Sequence, residues 1–371
     1  MNKSRIAMLL ASACLSAVAA PAFAEKAKAP AKDKFAEATA GLERKDGLVP
    51  VFVDKKDGKI LLLLPKPGAD GIAGRYLYQT YLRAGLGSNP TGLDRSAPGD
   101  TQIIAFRRVG GKVIAQFENW GFSAARGSLD EQKAVADSFP GSSVWSNAIE
   151  AEAPDGGLLV DVTSFLVRDA QGISKTLKRS KQGDFRLNDG LSYADTGEVN
   201  VFPLNLELEA VETFVGDDPG SEVRGIVPDP RNVTLALHHS LVALPEAGYQ
   251  PRQNDPRVGV IDHTVADYSA PLNEPLVYRL VHRFRLEKTD PTAARSPVKK
   301  PIVFYVDRAA PEPVRSALIE GGRWWNQAFE AAGFIDAFRV EVLPEGVSPL
   351  DARYSVVNWV HRQTRGWSYG H

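Results

Sequence analysis

The sequence predicts an α+β fold, in which a largely antiparallel β region over 48–290 precedes a short α/β region over 301–371. Two observations predict it. Before residue 290, short apolar or alternating runs recur at close spacing, separated by clusters of glycine, proline and aspartate. After residue 300, a strand, an amphipathic helix and two further strands follow one another, which is the order of an α/β layer.

The first 24 residues have the pattern of a secretory signal peptide. Lys3 and Arg5 precede an apolar run from Ile6 to Ala20, and Ala22-Phe23-Ala24 is a small-x-small cleavage motif. The run is shorter than the roughly 20 apolar residues that span a bilayer. We therefore expect cleavage after this motif and export to the periplasm or the extracellular space. Lipid attachment at Cys14 and a retained anchor are the alternatives.

Residues 25–47 are predicted to form a tether that is disordered or contains one short helix. The stretch from Glu25 to Lys34 consists mainly of alanine, lysine and proline, which offer little surface to bury. The following stretch from Phe35 to Arg44 can form the helix.

The β region over 48–290 is predicted from its apolar runs. The main predicted strands lie at 49–53, 59–64, 101–107, 112–118, 157–163, 205–209, 233–241 and 276–286. Val109-Gly110-Gly111 predicts a hairpin turn between the third and fourth of them. In the run 205–209, leucines alternate with Glu207 and Glu209, so we expect the leucines to face a core and the glutamates to face solvent.

The region after the β domain is predicted to be a linker over 291–300 and then an α/β segment. Residues 301–306 are continuously apolar, as in a strand buried on both faces. A helix is predicted from 314 to 332, with further strands at 338–343 and 353–360. Its apolar positions recur at helical spacing and include Trp324 and Trp325, of which we expect at least one to lie in the core.

Charge and composition exclude several classes of partner. The formal net charge is −1, which predicts no basic surface for nucleic acid or for an anionic membrane. No run after residue 24 is apolar enough to span a membrane. Cys14 is the only cysteine and would be lost with the signal peptide, so no disulfide and no thiolate metal site are expected.

No motif in the sequence predicts a complete catalytic or metal centre. The His-Glu-x-x-His helix of zinc hydrolases does not occur, and His238 and His239 are neighbours in a strand, so they point to opposite faces. We expect a structural role for both and no cofactor in this chain. The stretch Gly366-Trp367-Ser368-Tyr369-Gly370 matches the Gly-x-Ser-x-Gly motif of serine hydrolases, but only His371 follows it, so we interpret the match as coincidental.

The last third of the chain resembles a known family of enzymes. The segments that carry the resemblance are 238–245, 249–252, 255–259, 283–288, 301–305, 322–334 and 351–360. They are similar, in the same order, to segments of large secreted bacterial zinc-dependent metalloproteases. In those proteins a metzincin-like catalytic domain follows a β-rich N-terminal region. The strongest similarity is the stretch Gly322 to Phe334.

The resemblance implies that 301–371 is an incomplete metzincin-like half-domain. In that family the zinc helix lies beyond the segment that resembles Gly366 to Gly370, so we expect this chain to lack the zinc ligands and the general base and to be inactive alone. Zinc and a peptide or protein substrate are expected in full-length relatives. An exported, non-catalytic β-rich binding module is the alternative, and a zinc-helix motif in the DNA downstream would distinguish the two.

The resemblance also implies one group of substrate-binding residues. In metzincin-like enzymes an edge strand pairs with an extended substrate through backbone hydrogen bonds. The residues that correspond to this edge strand are Arg353, Tyr354, Ser355, Val357 and Trp359.

Overall fold

Two antiparallel sheets form the larger part of the fold of this protein. The structure, a computed structural model, describes residues 33–246 and 248–363. The strands of the N-terminal part are β1 (Glu43–Lys45), β2 (Val51–Asp54), β3 (Lys59–Leu64), β4 (Ile72–Ala84), β5 (Gln102–Val109), β6 (Lys112–Phe117), β7 (Phe122–Ser123), β8 (Ser142–Ala148), β9 (Ala151–Glu152), β10 (Leu158–Asp161), β11 (Asp184–Leu187), β12 (Tyr193–Ala194), β13 (Asn200–Val201), β14 (Asn205–Asp217), β15 (Asn232–Ala243), β16 (Asp262–Asp267) and β17 (Val277–Val281).

Five helices accompany these strands, and the C-terminal part adds five strands and two helices. The helices of the N-terminal part are α1 (Lys34–Thr39), α2 (Leu129–Ser138), α3 (Thr163–Leu166), α4 (Ile173–Arg179) and α5 (Ser221–Ile226). The elements of the C-terminal part are β18 (Ser296–Pro297), β19 (Ile302–Val306), α6 (Val314–Arg323), α7 (Asn326–Ala331), β20 (Phe334–Ile335), β21 (Phe338–Val342) and β22 (Ser355–Val357). The prediction of an α+β fold is confirmed.

The two large sheets pack face to face. One has five strands in the order β1-β2-β3-β10-β9, and the other has nine, in the order β11-β14-β15-β4-β5-β6-β8 with β12 and β13 paired to β14. One apolar core lies between them and contains Val51 and Leu62 from the first sheet and Phe106 and Leu208 from the second. Because strand side chains alternate between faces, the leucines of β14 point into this core.

A second core continues along the same face of the nine-stranded sheet. Ile173 and Leu177 of α4 and Val223 of α5 pack there against Phe214 and Leu235. These short helices cover the part of the sheet that extends beyond the five-stranded sheet.

The stretch predicted as a tether is structured where the structure describes it. Phe35 of α1 contacts Phe52 with ring centroids 5.9 Å apart, and β1 pairs with β2, Arg44 lying opposite Phe52. The predicted short helix is therefore present over 34–39, whereas the strand at 43–45 was not predicted. A strand of three residues is too short to show a clear alternation of apolar and polar residues in the sequence. The predicted signal peptide and residues 25–32 lie outside the described residues.

The C-terminal part is a small parallel sheet with helices on one face. Its strands are ordered β21-β19-β22, and both pairings are parallel. The segment predicted as a linker, 291–300, leads into it through β18, which pairs with β20 and places Ser296 in a buried position. No helix of the described ranges is long and apolar enough to cross a bilayer.

The prediction that Trp324 or Trp325 lies in the core is wrong. Each is 65% exposed, and they form the turn that divides the single predicted helix into α6 and α7. The helix contacts the sheet through a different face, with Ile319 in the apolar cluster and Phe329 stacked on Phe338 at 5.4 Å. A Cβ on Gly322 would lie 2.7 Å from a methyl group of Val340. The glycine therefore allows a close approach that fixes which face packs.

Candidate functional site

Strand β22 forms one edge of the C-terminal parallel sheet. Ser355 lies opposite Phe304 and Val357 opposite Val306, and the Val357 carbonyl accepts a hydrogen bond from the Asp307 N–H at 3.0 Å. Successive residues of a strand direct their backbone groups to alternate sides. Val356 therefore points its N–H and C=O away from β19, and no strand of the described part of the chain pairs with that side.

The opposite edge of the same sheet is covered by side chains. The Asn326 side-chain oxygen accepts a hydrogen bond from the Phe338 N–H at 3.3 Å. The Arg323 Nε donates to the Val340 carbonyl, also at 3.3 Å. Both backbone groups belong to the outward side of β21, so one side chain from α6 and one from α7 cap that edge. An edge strand with unpaired backbone groups is a template for an incoming strand. Of the two edges of this parallel sheet, β22 is the one whose outward backbone groups have no side-chain partner among the described residues.

Three of the five predicted site residues lie at this edge. Ser355 and Val357 are the first and last residues of β22, and Tyr354 immediately precedes it. The Tyr354 ring contacts the Tyr305 ring edge to face, with centroids 5.2 Å apart. Tyr305 lies opposite Val356 in the register, so both tyrosines share the face of Val356.

The other two predicted residues have structural partners. Arg353 forms a two-pronged ion pair with Asp351, with Nε–Oδ1 at 3.0 Å and Nη2–Oδ2 at 2.6 Å. This guanidinium holds the pKa of Asp351 below its ordinary value. Trp359 packs on the apolar cluster around Val306, and its buried indole N–H has no hydrogen-bond partner among the described residues.

The chain around β22 is anchored at both ends to the large β body. Before the strand, the Asn205 side-chain oxygen of β14 accepts from the Ala352 N–H at 3.0 Å, and its nitrogen donates to the Leu350 carbonyl at 2.8 Å. After the strand, the Arg95 guanidinium donates to the Trp359 carbonyl at 2.8 Å. The position of the edge is therefore set by residues distant in sequence.

Two further contacts continue the second anchor. The Gln363 N–H donates to the Gly87 carbonyl at 2.8 Å, and the Arg362 guanidinium donates to the Asp94 carboxylate, which is buried. The loop between β4 and β5 thus holds the stretch that follows β22.

Asn205 belongs to a buried polar network on the outer face of the nine-stranded sheet. The His238 Nδ1–H donates to Glu209 at 3.0 Å, and its Nε2–H donates to Glu207. The two carboxylates and the imidazole are at most 1% exposed. The prediction that Glu207 and Glu209 face solvent is therefore wrong. The predicted alternation is present, but the turn that Asn205 holds lies against this face of the sheet.

The network balances its own charges. Glu207 also accepts from the Ser240 hydroxyl at 2.6 Å and from the Tyr81 hydroxyl at 3.2 Å, and Glu209 accepts from Arg83. Both ring nitrogens of His238 lie within hydrogen-bond distance of a carboxylate oxygen, an arrangement that favours the imidazolium. Burial by itself would lower the pKa of His238, but the hydrogen bonds and charges of the two glutamates together raise it above its ordinary value.

His239 points to the opposite face and is neutral. Its Nε2–H donates to the Leu166 carbonyl at 3.0 Å, which leaves Nδ1 to accept from the Tyr78 hydroxyl at 2.8 Å. Burial lowers its pKa well below the ordinary value. The expected structural role of the adjacent histidines on opposite faces agrees with these contacts.

Glu212 is a second buried carboxyl, on the core side of β14. One of its oxygens accepts from the Arg168 N–H at 2.9 Å, and the other is buried with no hydrogen-bond partner among the described residues. Burial raises the pKa of Glu212 to about 8. The carboxyl is therefore largely protonated at neutral pH.

No group of three or more histidine, cysteine, aspartate or glutamate side chains in the described ranges is arranged for a metal ion. His238 has a carboxylate oxygen near each of its ring nitrogens. Ser368 and His371 lie outside the described residues.

The sequence carried a signal for the polar network. In β14 and β15, Glu209 lies opposite His238 and Glu207 opposite Ser240. When two neighbouring strands carry acids and a histidine at facing positions of the same sheet face, a cross-strand pair is predicted. Asn205 precedes the acids on the same face, but its partners at 350–352 could not be found from spacing.

Comparison with known proteins gives one match. A family model described as "Domain of unknown function (DUF5117)" matches residues 97–289, which is more than half of the 371 residues. Neither the curated proteins nor the solved structures contain a match. The matched range runs from β5 to β17 and includes Asn205, His238 and Glu212. The chain therefore belongs to the DUF5117 domain family, whose function is unknown.

Proposed function

We propose that this protein is exported and binds an extended peptide along the outer side of β22, as the substrate-holding portion of a zinc-dependent metalloprotease homologue. The observation that carries the proposal is the asymmetry of the small parallel sheet. Its β21 edge is covered by Asn326 and Arg323, whereas Val356 directs its backbone groups outward at the other edge. Export is proposed from the signal-peptide pattern of residues 1–24.

An extended peptide suits this edge for two reasons. The N–H and C=O of Val356 can pair with the backbone of any sequence, which gives affinity without strong sequence preference. The two tyrosines on the face of Val356, Tyr305 and Tyr354, offer an aromatic surface to alternate side chains of the peptide. We therefore expect a preference for peptides with apolar or aromatic residues at alternate positions.

The Val356→Pro variant is expected to bind such peptides at least about tenfold more weakly, since one lost neutral hydrogen bond costs about 0.5–1.5 kcal/mol and the ring also obstructs the edge. The N–H that proline removes points away from β19, so the sheet keeps its own hydrogen bonds. Fluorescence anisotropy with a labelled, alternating apolar peptide measures the affinity, and mass spectrometry shows whether the peptide is cleaved.

Val356→Thr is the matched control, because threonine is β-branched and keeps the N–H. Its affinity should remain within about twofold of wild type, a difference below about 0.5 kcal/mol. Thermal unfolding of both variants shows whether the fold is retained. Equal affinity of a folded proline variant and wild type would contradict the proposal, and so would failure of wild type to bind any extended peptide.

A further inference from the structure

Asn205 joins three parts of the molecule through one side chain. Its Nδ2 donates both to Glu207 and to the Leu350 carbonyl, and its Oδ1 accepts from the Ala352 N–H. The nitrogen faces two acceptors and the oxygen faces one donor, so only one orientation of the amide satisfies all three contacts. The residue is 0% exposed, so these contacts are shielded from bulk solvent.

The network holds Asn205 in this orientation. Glu207, which receives the amide, is itself held by Ser240 and His238 on β15 and by Tyr81 on β4. Each partner lies on a central strand of the nine-stranded sheet. The amide therefore projects from a rigid surface toward the turn.

The turn transmits this position to the edge strand. Asp351, between the two clamped residues, accepts the Arg353 N–H through its side chain at 3.0 Å and the Tyr354 N–H through its carbonyl at 2.9 Å. Ser355, the first residue of β22, follows directly. Arg353 and Tyr354, whose N–H groups both bond to Asp351, are the only residues between the Asn205 clamp and the edge.

We propose that Asn205 is a positioning residue, which fixes the turn at 350–352 and thereby the register and order of the open β22 edge. A role for the DUF5117 domain follows, because Asn205 and its supporting network lie inside the matched range 97–289. That domain acts as a scaffold for the peptide-binding edge. The consequence for peptide affinity rests on the proposed function, whereas the positioning itself can be measured without any peptide.

Asn205→Asp gives the proposal a specific signature. The charged groups that face this position are Glu207 and Glu209 on β14, His238 on β15, Tyr81 and Arg83 on β4, and Asp351 and Arg353 in the turn. An ionised carboxylate here would keep the Ala352 contact but lose both donated hydrogen bonds and repel Glu207. A protonated carboxylic acid offers an acceptor for the Ala352 N–H and one donor, so it restores one of the two hydrogen bonds that the amide donates. Burial beside a carboxylate favours that protonated form.

Hydrogen exchange of peptides covering 348–357, together with peptide anisotropy, tests the proposal on the whole chain. In Asn205→Ala we expect exchange in this segment to accelerate at least tenfold and the peptide affinity to fall at least tenfold, at both pH 8 and pH 5. In Asn205→Asp we expect the same losses at pH 8 and recovery toward wild type at pH 5. Asn232→Ala is the matched control, because its amide donates only within its own strand region, to Asp229.

The possible outcomes separate the two proposals. Unchanged exchange at 348–357 in a folded Asn205→Ala variant, or no recovery of Asn205→Asp at pH 5, would overturn the positioning role. Acceleration spread evenly over the nine-stranded sheet would also overturn it, because that result shows general destabilisation. If wild type binds no peptide but the exchange pattern is as expected, the proposed function fails and the positioning role stands.

Discussion

The His238→Gln variant is expected to lose about 3–5 kcal/mol of unfolding free energy at pH 6, because breaking a buried ion pair leaves uncompensated charge. Glutamine nearly fills the space but carries no charge, so Glu207 and Glu209 would face each other across a buried neutral amide. Neither carboxylate can turn to solvent, since both are at most 1% exposed. Urea unfolding followed by circular dichroism measures the loss.

The same measurement repeated across pH tests the charge state of His238. The pKa of His238 is raised in the folded protein, so its stabilising contribution is complete below the unfolded value of about 6.5 and is lost as pH rises through the raised folded value. The difference between wild type and His238→Gln should therefore shrink as the pH is raised toward 9. A difference that does not change between pH 6 and pH 9 would show that His238 is neutral in the fold.

His239→Gln is the matched control for this experiment. It changes the same residue type one position along β15, on the face where the ring is neutral and donates to the Leu166 carbonyl. The variant also loses stability, but its loss should not shrink as the pH rises from 6 to 9. Because the pKa of His239 is lowered in the fold, the loss should instead grow slightly as the unfolded histidine gives up its proton. A parallel pH trend in both variants would point to a different titrating group.

The pair of adjacent histidines shows how far the sequence could predict this site. Alternation along β15 places His238 and His239 on opposite faces, and a period of two is a local property that the sequence determines. Whether a polar face of a strand is exposed to solvent or covered by another part of the chain is not determined by the local sequence. The alternation alone predicts that Glu207 and Glu209 face solvent, because their partners lie on β4 and β15. Their neighbour Asn205 is held by a turn 145 residues later.

The helical region over 314–331 also shows what the sequence pattern does not predict. The spacing predicts one helix with both tryptophans on its apolar face, and the helix does form over most of that range. A single small residue, Gly322, brings Val340 close and selects the packed face. Side-chain size at one contact thus outweighs the larger apolar area of Trp324 and Trp325. Periodicity reports which residues share a face, but it does not report which face the sheet meets.

Glu212→Gln is expected to stabilise the protein at pH 9 by up to about 5 kcal/mol, because each tenfold change in proton affinity between the folded and unfolded states is worth about 1.4 kcal/mol. Burial raises the pKa of Glu212 from 4.5 to about 8. Because the pKa of Glu212 is higher in the folded state than in the unfolded state, its contribution to stability is fully present below pH 4.5. That contribution is lost as the pH rises from 4.5 through about 8. Glutamine cannot ionise and still accepts the Arg168 N–H, so it avoids this loss.

Urea unfolding of wild type and Glu212→Gln at pH 4.5, 7 and 9 measures the effect. At pH 4.5 the two should agree within about 1 kcal/mol, because a protonated carboxyl and an amide have similar hydrogen-bonding groups. The gap should open mainly between pH 4.5 and pH 8, where the unfolded carboxyl has lost its proton and the folded one still keeps it, and it should be nearly complete at pH 9. Glu222→Gln is the control. Glu222 lies on α5 rather than on β14, and its carboxylate accepts a hydrogen bond from the Ser88 hydroxyl at 2.6 Å. It should not reproduce the gap. If the unfolding free energies of Glu212→Gln and wild type change in the same way between pH 4.5 and pH 9, the Glu212 carboxyl is not the group that lowers stability as the pH rises.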